Sequence, residues 1–164
     1  MIVSTAVLLG GTAFVGERTQ PIAQQLVVSE RDGVVLQSSG VSCVSASGAN
    51  LLRLHGKHMT EPQMARLLDA TSAGATSAQL LKGLREAGME CSRSYDSARD
   101  LAGVRAPAVV FYGSGYGVPH AVVLVERQGD EVVLLDPLIG RQTVDAGTVA
   151  RLWDGEAVHC ERAR

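Results

Sequence analysis

The sequence predicts an α+β fold in which helices come first and a largely antiparallel sheet follows. Capping boxes begin at Thr60 and Thr76, and each precedes an apolar run of helical period. After Arg105 the pattern changes to apolar runs of strand length, separated by turns that contain Gly. Strands joined by tight turns pair antiparallel, and helices followed by strands are typical of the α+β class.

Turn and capping residues set the element boundaries in the first half of the chain. Asp32-Gly33 is typical of a two-residue hairpin turn, and Gly at a helix end favours the left-handed C-cap conformation. The predicted elements are, in order, a hairpin over residues 26–36, helices over residues 42–56, 60–68 and 76–88, a strand over residues 89–95, and a helical turn over residues 96–101 capped by Asp96.

The second half is predicted to form a sheet with one helix. The predicted elements are strands over residues 107–112, 120–127, 131–136, 142–144 and 156–160, and a helix from Asp145 to Trp153. A flexible Gly-rich loop is expected over residues 113–119. Weak alternation in residues 131–136 indicates that both faces of that strand are buried.

Composition limits the function classes. A chain of 164 residues is long enough for one domain with a sizeable core. The net charge of −2, with scattered Lys and Arg, gives no support to nucleic-acid binding. Aromatic residues make up 4% of the chain, which is too few for a base-stacking surface. Nucleic acids are therefore not expected as partners.

Residues 2–16 form an uncharged stretch that ends at Glu17. The stretch is shorter than the roughly 20 apolar residues of a membrane span, but it matches the apolar region of a signal peptide. It shows neither strand nor helix period, so we expect export or a membrane tether, with packing on the domain as the alternative. A membrane-associated or exported protein is thus expected, and a cytoplasmic one is the alternative. Residues 17–25 are predicted as a linker to a domain over residues 26–164.

The three cysteines are far apart in sequence. No Cys-x-x-Cys pair or His at zinc-finger spacing accompanies them, so neither a structural metal nor a cofactor is predicted. Cys91 and Cys160 are expected to be buried free thiols, because a disulfide between them requires an oxidising compartment.

Cys43 lies where a polar loop enters a predicted helix. Unpaired backbone N–H groups and the positive end of the helix dipole at this position favour a thiolate. Gln37, six residues upstream, carries an amide that is able to fold back over the same spot. This arrangement is typical of a nucleophile with one oxyanion-hole donor, although a free Cys is more often a small buried hydrophobe.

His120 and Asp136 supply the remaining groups of a catalytic constellation. His120 begins one strand, and Asp136 ends the next strand of the same hairpin, so the two side chains are expected to be neighbours. A carboxylate beside a histidine fixes the ring tautomer and leaves the other nitrogen for a thiol. Taken singly, a structural strand-end His and a turn-initiating Asp are the more common outcomes. The ordered set with Gln37 and Cys43 favours the catalytic interpretation.

The ordered set resembles the C39-type peptidase domain, a papain-like fold of bacteriocin-processing exporters. The residues that carry the resemblance span about 120 positions and are Gln37, Cys43, 54–57, 74–77, Leu80, Leu81, 84–90, 107–110, His120, 122–124, 135–137, Gly140, Arg141, Trp153 and Gly155. The resemblance implies a cysteine peptidase with Cys43 as nucleophile, His120 as base and acid, Asp136 as orienting group and Gln37 in the oxyanion hole. It also implies a peptide or protein substrate, in that family usually a leader peptide cut after Gly-Gly.

Two alternatives to a cysteine endopeptidase remain. Val44 follows the nucleophile where the family commonly has Gly, and the sequence contains no transporter membrane region or nucleotide-binding loop. A catalytically weak peptide-binding module of the same fold is therefore the second hypothesis. Acyl transfer to an amine, which uses the same residues, is the third.

Overall fold

A computed structural model describes residues 20–113 and 119–162. The predicted tether over residues 2–16 and most of the predicted loop over residues 113–119 lie outside this part of the chain. Within it, the elements are β1 Glu30–Arg31, β2 Val34–Val35, α1 Cys43–Leu54, α2 Glu61–Leu67, α3 Ser77–Glu86, β3 Met89–Tyr95, a 3-10 helix Leu101–Gly103, β4 Ala108–Tyr112, β5 His120–Gln128, β6 Glu131–Asp136, β7 Gly140–Asp145, α4 Ala146–Leu152 and β8 Trp153–Arg162.

The main sheet has six strands in the order β3-β8-β4-β5-β6-β7, and every neighbouring pair is antiparallel. The α+β prediction is therefore confirmed. Strand β8 lies between the edge strand β3 and β4, so it joins two strands that are far apart in sequence from it. The strands of residues 108–145 follow one another as a meander, which keeps each hairpin partner adjacent in space.

Both faces of the sheet are buried, each in its own apolar cluster. Alternate strand residues such as Val109, Val123 and Leu135 share one apolar cluster with residues of α1, α2 and α3, and α1 is the helix that lies against β4, β5 and β6. Their neighbours, including Val110 and Val122, pack with α4 residues and the 3-10 helix on the other face. This two-sided burial confirms the expectation for β6, in which residues 132–136 are all buried.

The capped helices form as the sequence predicts. Thr60 and Thr76 each accept the backbone N–H of the Gln three residues later, and each Gln side chain returns to the cap backbone. Two orphan N–H groups are thereby satisfied at each helix start. Asp145 likewise caps α4 by accepting the N–H of Thr148 at 2.8 Å.

Two local predictions were wrong near the start of the domain. The hairpin turns at Asp32-Gly33, but its first strand is Glu30–Arg31, because the Val27 N–H donates to Ser38 Oγ at 3.1 Å rather than to a ladder. In the predicted linker, Ile22 is 4% exposed and belongs to the main core. The Ile22 N–H also donates to the Ala70 carbonyl at 3.1 Å, which fixes this piece to the domain.

The predicted cap at Asp96 is displaced by four residues. Asp96 accepts the N–H groups of Ala98 and Asp100 and closes a turn, whereas Asp100 caps the 3-10 helix that begins at Leu101. Both residues are good caps, and the choice between them depends on where Leu101 meets the sheet.

The expectation of free thiols at Cys91 and Cys160 was also wrong. The two residues are direct partners in the β3–β8 register, with their Cα atoms 4.0 Å apart, and they form a disulfide. Because 69 positions separate them in sequence, only the placement of β8 beside β3 brings them together. Cys43 is left as the free cysteine.

Candidate active site

Cys43 is the first residue of α1 and lies at the edge of a cleft. The preceding turn is closed by Ser42, whose Oγ donates to the Ser39 carbonyl at 2.9 Å and accepts the Ser39 N–H at 3.1 Å. Cys43 as a residue is 9% exposed. As the first residue of a helix, Cys43 has a backbone N–H without an intrahelical acceptor, so that group points out of the helix start.

His120 and Asp136 meet across the β5–β6 hairpin, as the sequence predicts. His120 Nε2 lies 2.9 Å from Asp136 Oδ1, and the two side chains are 15% and 10% exposed. The ion pair is thus largely shielded from solvent. Because Nε2 is engaged by the carboxylate, Nδ1 is the ring nitrogen left for another partner.

The Asp136 carboxylate is held in its ionised form. Burial opposes this, but hydrogen bonds from His120 and from the Leu138 N–H, at 2.8 Å to the same Oδ1, keep the pKa of Asp136 below its usual value. The Leu138 N–H also fixes the direction in which the carboxylate points. Asp136 is therefore an oriented anion beside the imidazole.

The His120 imidazole is stabilised as a cation. Burial works against the charge, but the hydrogen bond with Asp136, the interaction with Cys43 and the negative charge of Asp136 raise the pKa of His120 to about 9. Cys43 and His120 line the same cleft, and the ring interacts with both Asp136 and Cys43. The fold thus brings Cys43 to the cleft where the His120–Asp136 pair lies.

Gln37 lies in residues 37–42, the strip of chain that leads into α1. Its backbone N–H donates to the Pro137 carbonyl at 2.9 Å, which ties the strip to the loop after Asp136. Its Nε2 donates to the Ser39 carbonyl at 2.8 Å, while the buried Oε1 has no hydrogen-bond partner. One hydrogen of the amide is used by Ser39, and the other is free to serve a different acceptor.

The cleft beside Cys43 has a volume of about 260 Å³. Its walls carry small residues near the thiol, including Gly40 and Gly74, and carboxylates at Asp154 and Glu156. Gly74 has φ +88°, and a Cβ atom built there lies 2.9 Å from the Val41 carbonyl oxygen. The two walls therefore approach so closely at this point that a side chain at position 74 requires backbone movement.

Sequence reasoning missed three residues near this constellation. Tyr112 has its ring centroid 6.3 Å from that of His120, and burial with the nearby Asp136 charge raises the pKa of Tyr112 to about 12. Ser42 closes the turn before the thiol, and Glu61 holds the strip at Ser38. Pairing of β4 with β5 places Tyr112 opposite His120, a signal that a sequence-based strand alignment would have shown.

The described residues contain neither a metal-binding cluster nor a membrane-spanning helix. Within residues 20–113 and 119–162, no group of three or more His, Cys, Asp or Glu side chains is arranged to hold a metal ion. No helix in the same part of the chain is long and apolar enough to cross a membrane.

The antiparallel sheet, the helix that begins at Cys43 and the His120–Asp136 pair define a protein of the papain-like class. The chain belongs to the peptidase C39 family, whose family model matches residues 31–164. The recognition made from the sequence is therefore confirmed.

Solved structures of this family share the fold. A double glycine motif protease from an AMS/PCAT transporter, in complex with its leader peptide, superposes with a TM-score of 0.70 at 19% identity and covers 84% of this chain and 92% of that chain. The peptidase domain of Streptococcus ComA, a bifunctional ABC transporter of a quorum-sensing pathway, gives 0.69 at 17% identity, with 78% and 96% covered.

A relative is also found by sequence. An uncharacterized protein of Methanothermobacter thermautotrophicus is 31% identical over 134 residues, which is 79% of this chain and 88% of that protein.

Proposed function

We propose that the protein is a cysteine endopeptidase in which Cys43, His120 and Asp136 act as nucleophile, acid–base and orienting group. The observation that carries the proposal is the largely buried pair of His120 Nε2 and Asp136 Oδ1 at 2.9 Å, with Cys43 and His120 lining the same cleft. This set meets the requirements of nucleophilic catalysis, namely a nucleophile, a base within reach and a third group that orients the base.

The first step forms a thioester. The Cys43 thiolate attacks the scissile carbonyl carbon, and the carbonyl oxygen becomes an oxyanion. The C–N bond then breaks as the His120 imidazolium donates its Nδ1 proton to the leaving amine. Asp136 stabilises the imidazolium before this transfer and holds the ring in the correct direction.

The second step restores the enzyme. Neutral His120 accepts a proton from water at Nδ1 while the water oxygen attacks the thioester carbon. The C–S bond breaks, the acid product leaves, and the thiolate–imidazolium pair forms again. No cofactor enters either step.

The oxyanion is stabilised by two donors in this proposal. One is the backbone N–H of Cys43, which has no intrahelical acceptor, and the other is the hydrogen of Gln37 Nε2 that Ser39 does not use. Loss of one such donor costs about 10²- to 10³-fold in kcat.

We infer that the substrate is a peptide with small residues before the scissile bond. The close approach of Gly74 to the Val41 carbonyl narrows the cleft near Cys43 and leaves little room for a bulky side chain. The structural relative that acts on a double glycine motif and binds a leader peptide supports a Gly-Gly preference in this chain as well.

We also propose that the protein works in an oxidising compartment. The Cys91–Cys160 disulfide supports this, because such bonds persist in secreted and periplasmic proteins and are rare in the cytosol. Export or a tether through residues 2–16 fits the same location.

The test is cleavage of a fluorogenic Gly-Gly aminomethylcoumarin amide and of quenched peptides with Gly-Gly at their centre. The Cys43→Ala variant is expected to lose both activities, whereas Ser77→Ala, a cleft residue outside the constellation, is expected to retain most of them. Cleavage that persists in Cys43→Ala overturns the proposal. Tight peptide binding by the wild type without any turnover would instead identify a peptide-binding module.

A further inference from the structure

Glu61 is a fully buried carboxylate that the proposed chemistry does not use. It is the first residue of α2 and is 0% exposed. Burial of a carboxylate is costly unless strong hydrogen bonds compensate for the lost water. The partners of Glu61 therefore show what this carboxylate holds in place.

Three hydrogen bonds join Glu61 to Ser38. The Ser38 backbone N–H lies 3.0 Å from Oε1 and 3.1 Å from Oε2, and Ser38 Oγ donates to Oε2 at 2.6 Å. Hydrogen bonds to an ionised acceptor are about twice as strong as neutral ones. Both the backbone and the side chain of Ser38 are fixed by this one carboxylate.

Ser38 is the link between the two anchors of Gln37. On one side, the Gln37 N–H donates to the Pro137 carbonyl at 2.9 Å. On the other, Gln37 Nε2 donates to the Ser39 carbonyl at 2.8 Å, and Ser42 Oγ donates to that same carbonyl at 2.9 Å. A displacement of Ser38 moves the Ser39 carbonyl and with it the amide of Gln37.

We propose that Glu61 is a positioning residue for the oxyanion hole. Its carboxylate holds Ser38 so that the Ser39 carbonyl keeps the Gln37 amide in one orientation, with one N–H left for the oxyanion. The inference rests on the proposed peptidase function. Glu61 acts through Ser38 and Gln37 rather than on the reacting atoms.

This role predicts a specific kinetic defect. Acylation by a peptide builds an oxyanion and needs the Gln37 amide, whereas alkylation of Cys43 by iodoacetamide displaces iodide and builds none. A defect confined to the oxyanion hole therefore lowers kcat and leaves alkylation unchanged. A general loss of structure changes both rates.

The first test compares Glu61→Gln with the wild type on the Gly-Gly coumarin amide. The neutral amide in this variant turns an N–H₂ group toward one Ser38 donor, so one hydrogen bond to Ser38 is lost. We expect kcat to fall about 10- to 100-fold, because the Gln37 amide is no longer held in place. KM and the Cys43 alkylation rate are expected to stay within about twofold of the wild-type values. Met64→Ala, a buried truncation one turn along α2, is the control for lowered stability and is expected to leave kcat within about threefold. All rates are measured well below the unfolding temperature of every variant.

The second test is a double-mutant cycle with Gln37→Ala. If Glu61 acts through Gln37, Glu61→Gln has less than about a twofold effect on kcat once the amide is gone. Multiplicative effects of the two substitutions, or an equal loss of kcat and alkylation rate in Glu61→Gln, overturn the inference. Both outcomes leave the peptidase proposal standing, since that proposal fails if Cys43→Ala retains activity or if the wild type binds peptide without turnover.

Discussion

The Asp136→Asn substitution removes the charge that supports the His120 cation while it keeps the side-chain volume. In the wild type, the pKa of His120 is about 9 although the ring is largely buried. A free His titrates near about 6.5, so the difference corresponds to about 3 kcal/mol in favour of the imidazolium. The hydrogen bond with Asp136 contributes most to the increase in the His120 pKa, ahead of the interaction with Cys43.

Without the carboxylate, burial still lowers the pKa of His120, and mainly the interaction with Cys43 still raises it. We therefore expect the pKa of His120 to be lower in Asp136→Asn than in the wild type. Since general acid–base catalysis contributes about 10²- to 10⁴-fold, kcat/KM near neutral pH is expected to fall within that range.

The assay is the pH profile of kcat/KM on the Gly-Gly coumarin amide, whose alkaline limb reports the acid of the free enzyme. The wild type is expected to lose activity through about pH 9, and Asp136→Asn at a lower pH. Asp32→Asn is the matched control, because it removes an exposed carboxylate at a position with φ 50° that Asn tolerates. An alkaline limb that stays in place in Asp136→Asn refutes the reasoning.

Three further predictions follow from the same structure. Replacement of Cys91 and Cys160 by Ser opens a loop with a sequence separation of 69 and should lower the free energy of unfolding by about 4 kcal/mol, measured with urea. An unchanged urea midpoint would argue against the disulfide. Gly74→Ala adds a Cβ against the Val41 carbonyl at positive φ, so it should lower the free energy of unfolding by about 1–2 kcal/mol and raise KM. An unchanged KM would contradict the proposal that the cleft is narrow at this point. The pKa of His120 is raised in the folded state, so the protonated ring stabilises the fold fully below about pH 6.5. This contribution to the free energy of unfolding is lost as the pH rises through about 9. In urea titrations, His120→Gln should therefore reduce the dependence of the free energy of unfolding on pH.

The constellation was accessible from the sequence because a tight hairpin makes distant residues neighbours. Once the turn after Gln128 was recognised, antiparallel pairing placed the start of one strand near the end of the next, and His120 near Asp136. The capping boxes were similarly local, since each needs only four residues to be identified.

The features that sequence reasoning missed depend on contacts between distant segments. Cys91 and Cys160 pair only because β8 inserts beside β3, and no local pattern indicates that insertion. Glu61 was recognised only as part of a capping box, and its burial against Ser38 arises from the packing of α2 on the strip before α1. In the same way, Asp100 replaces Asp96 as the 3-10 cap because the position of Leu101 in the second core decides where that helix starts.

The most direct test of the peptidase account is detection of the acyl-enzyme. A reaction with a Gly-Gly peptide amide, quenched with acid during the first turnover, is analysed by intact-mass spectrometry and peptide mapping. The account predicts an adduct with the mass of the acyl part of the substrate, located on Cys43 as a thioester and absent from Cys43→Ala. An adduct on another residue, or turnover by Cys43→Ala at the wild-type rate, would contradict it.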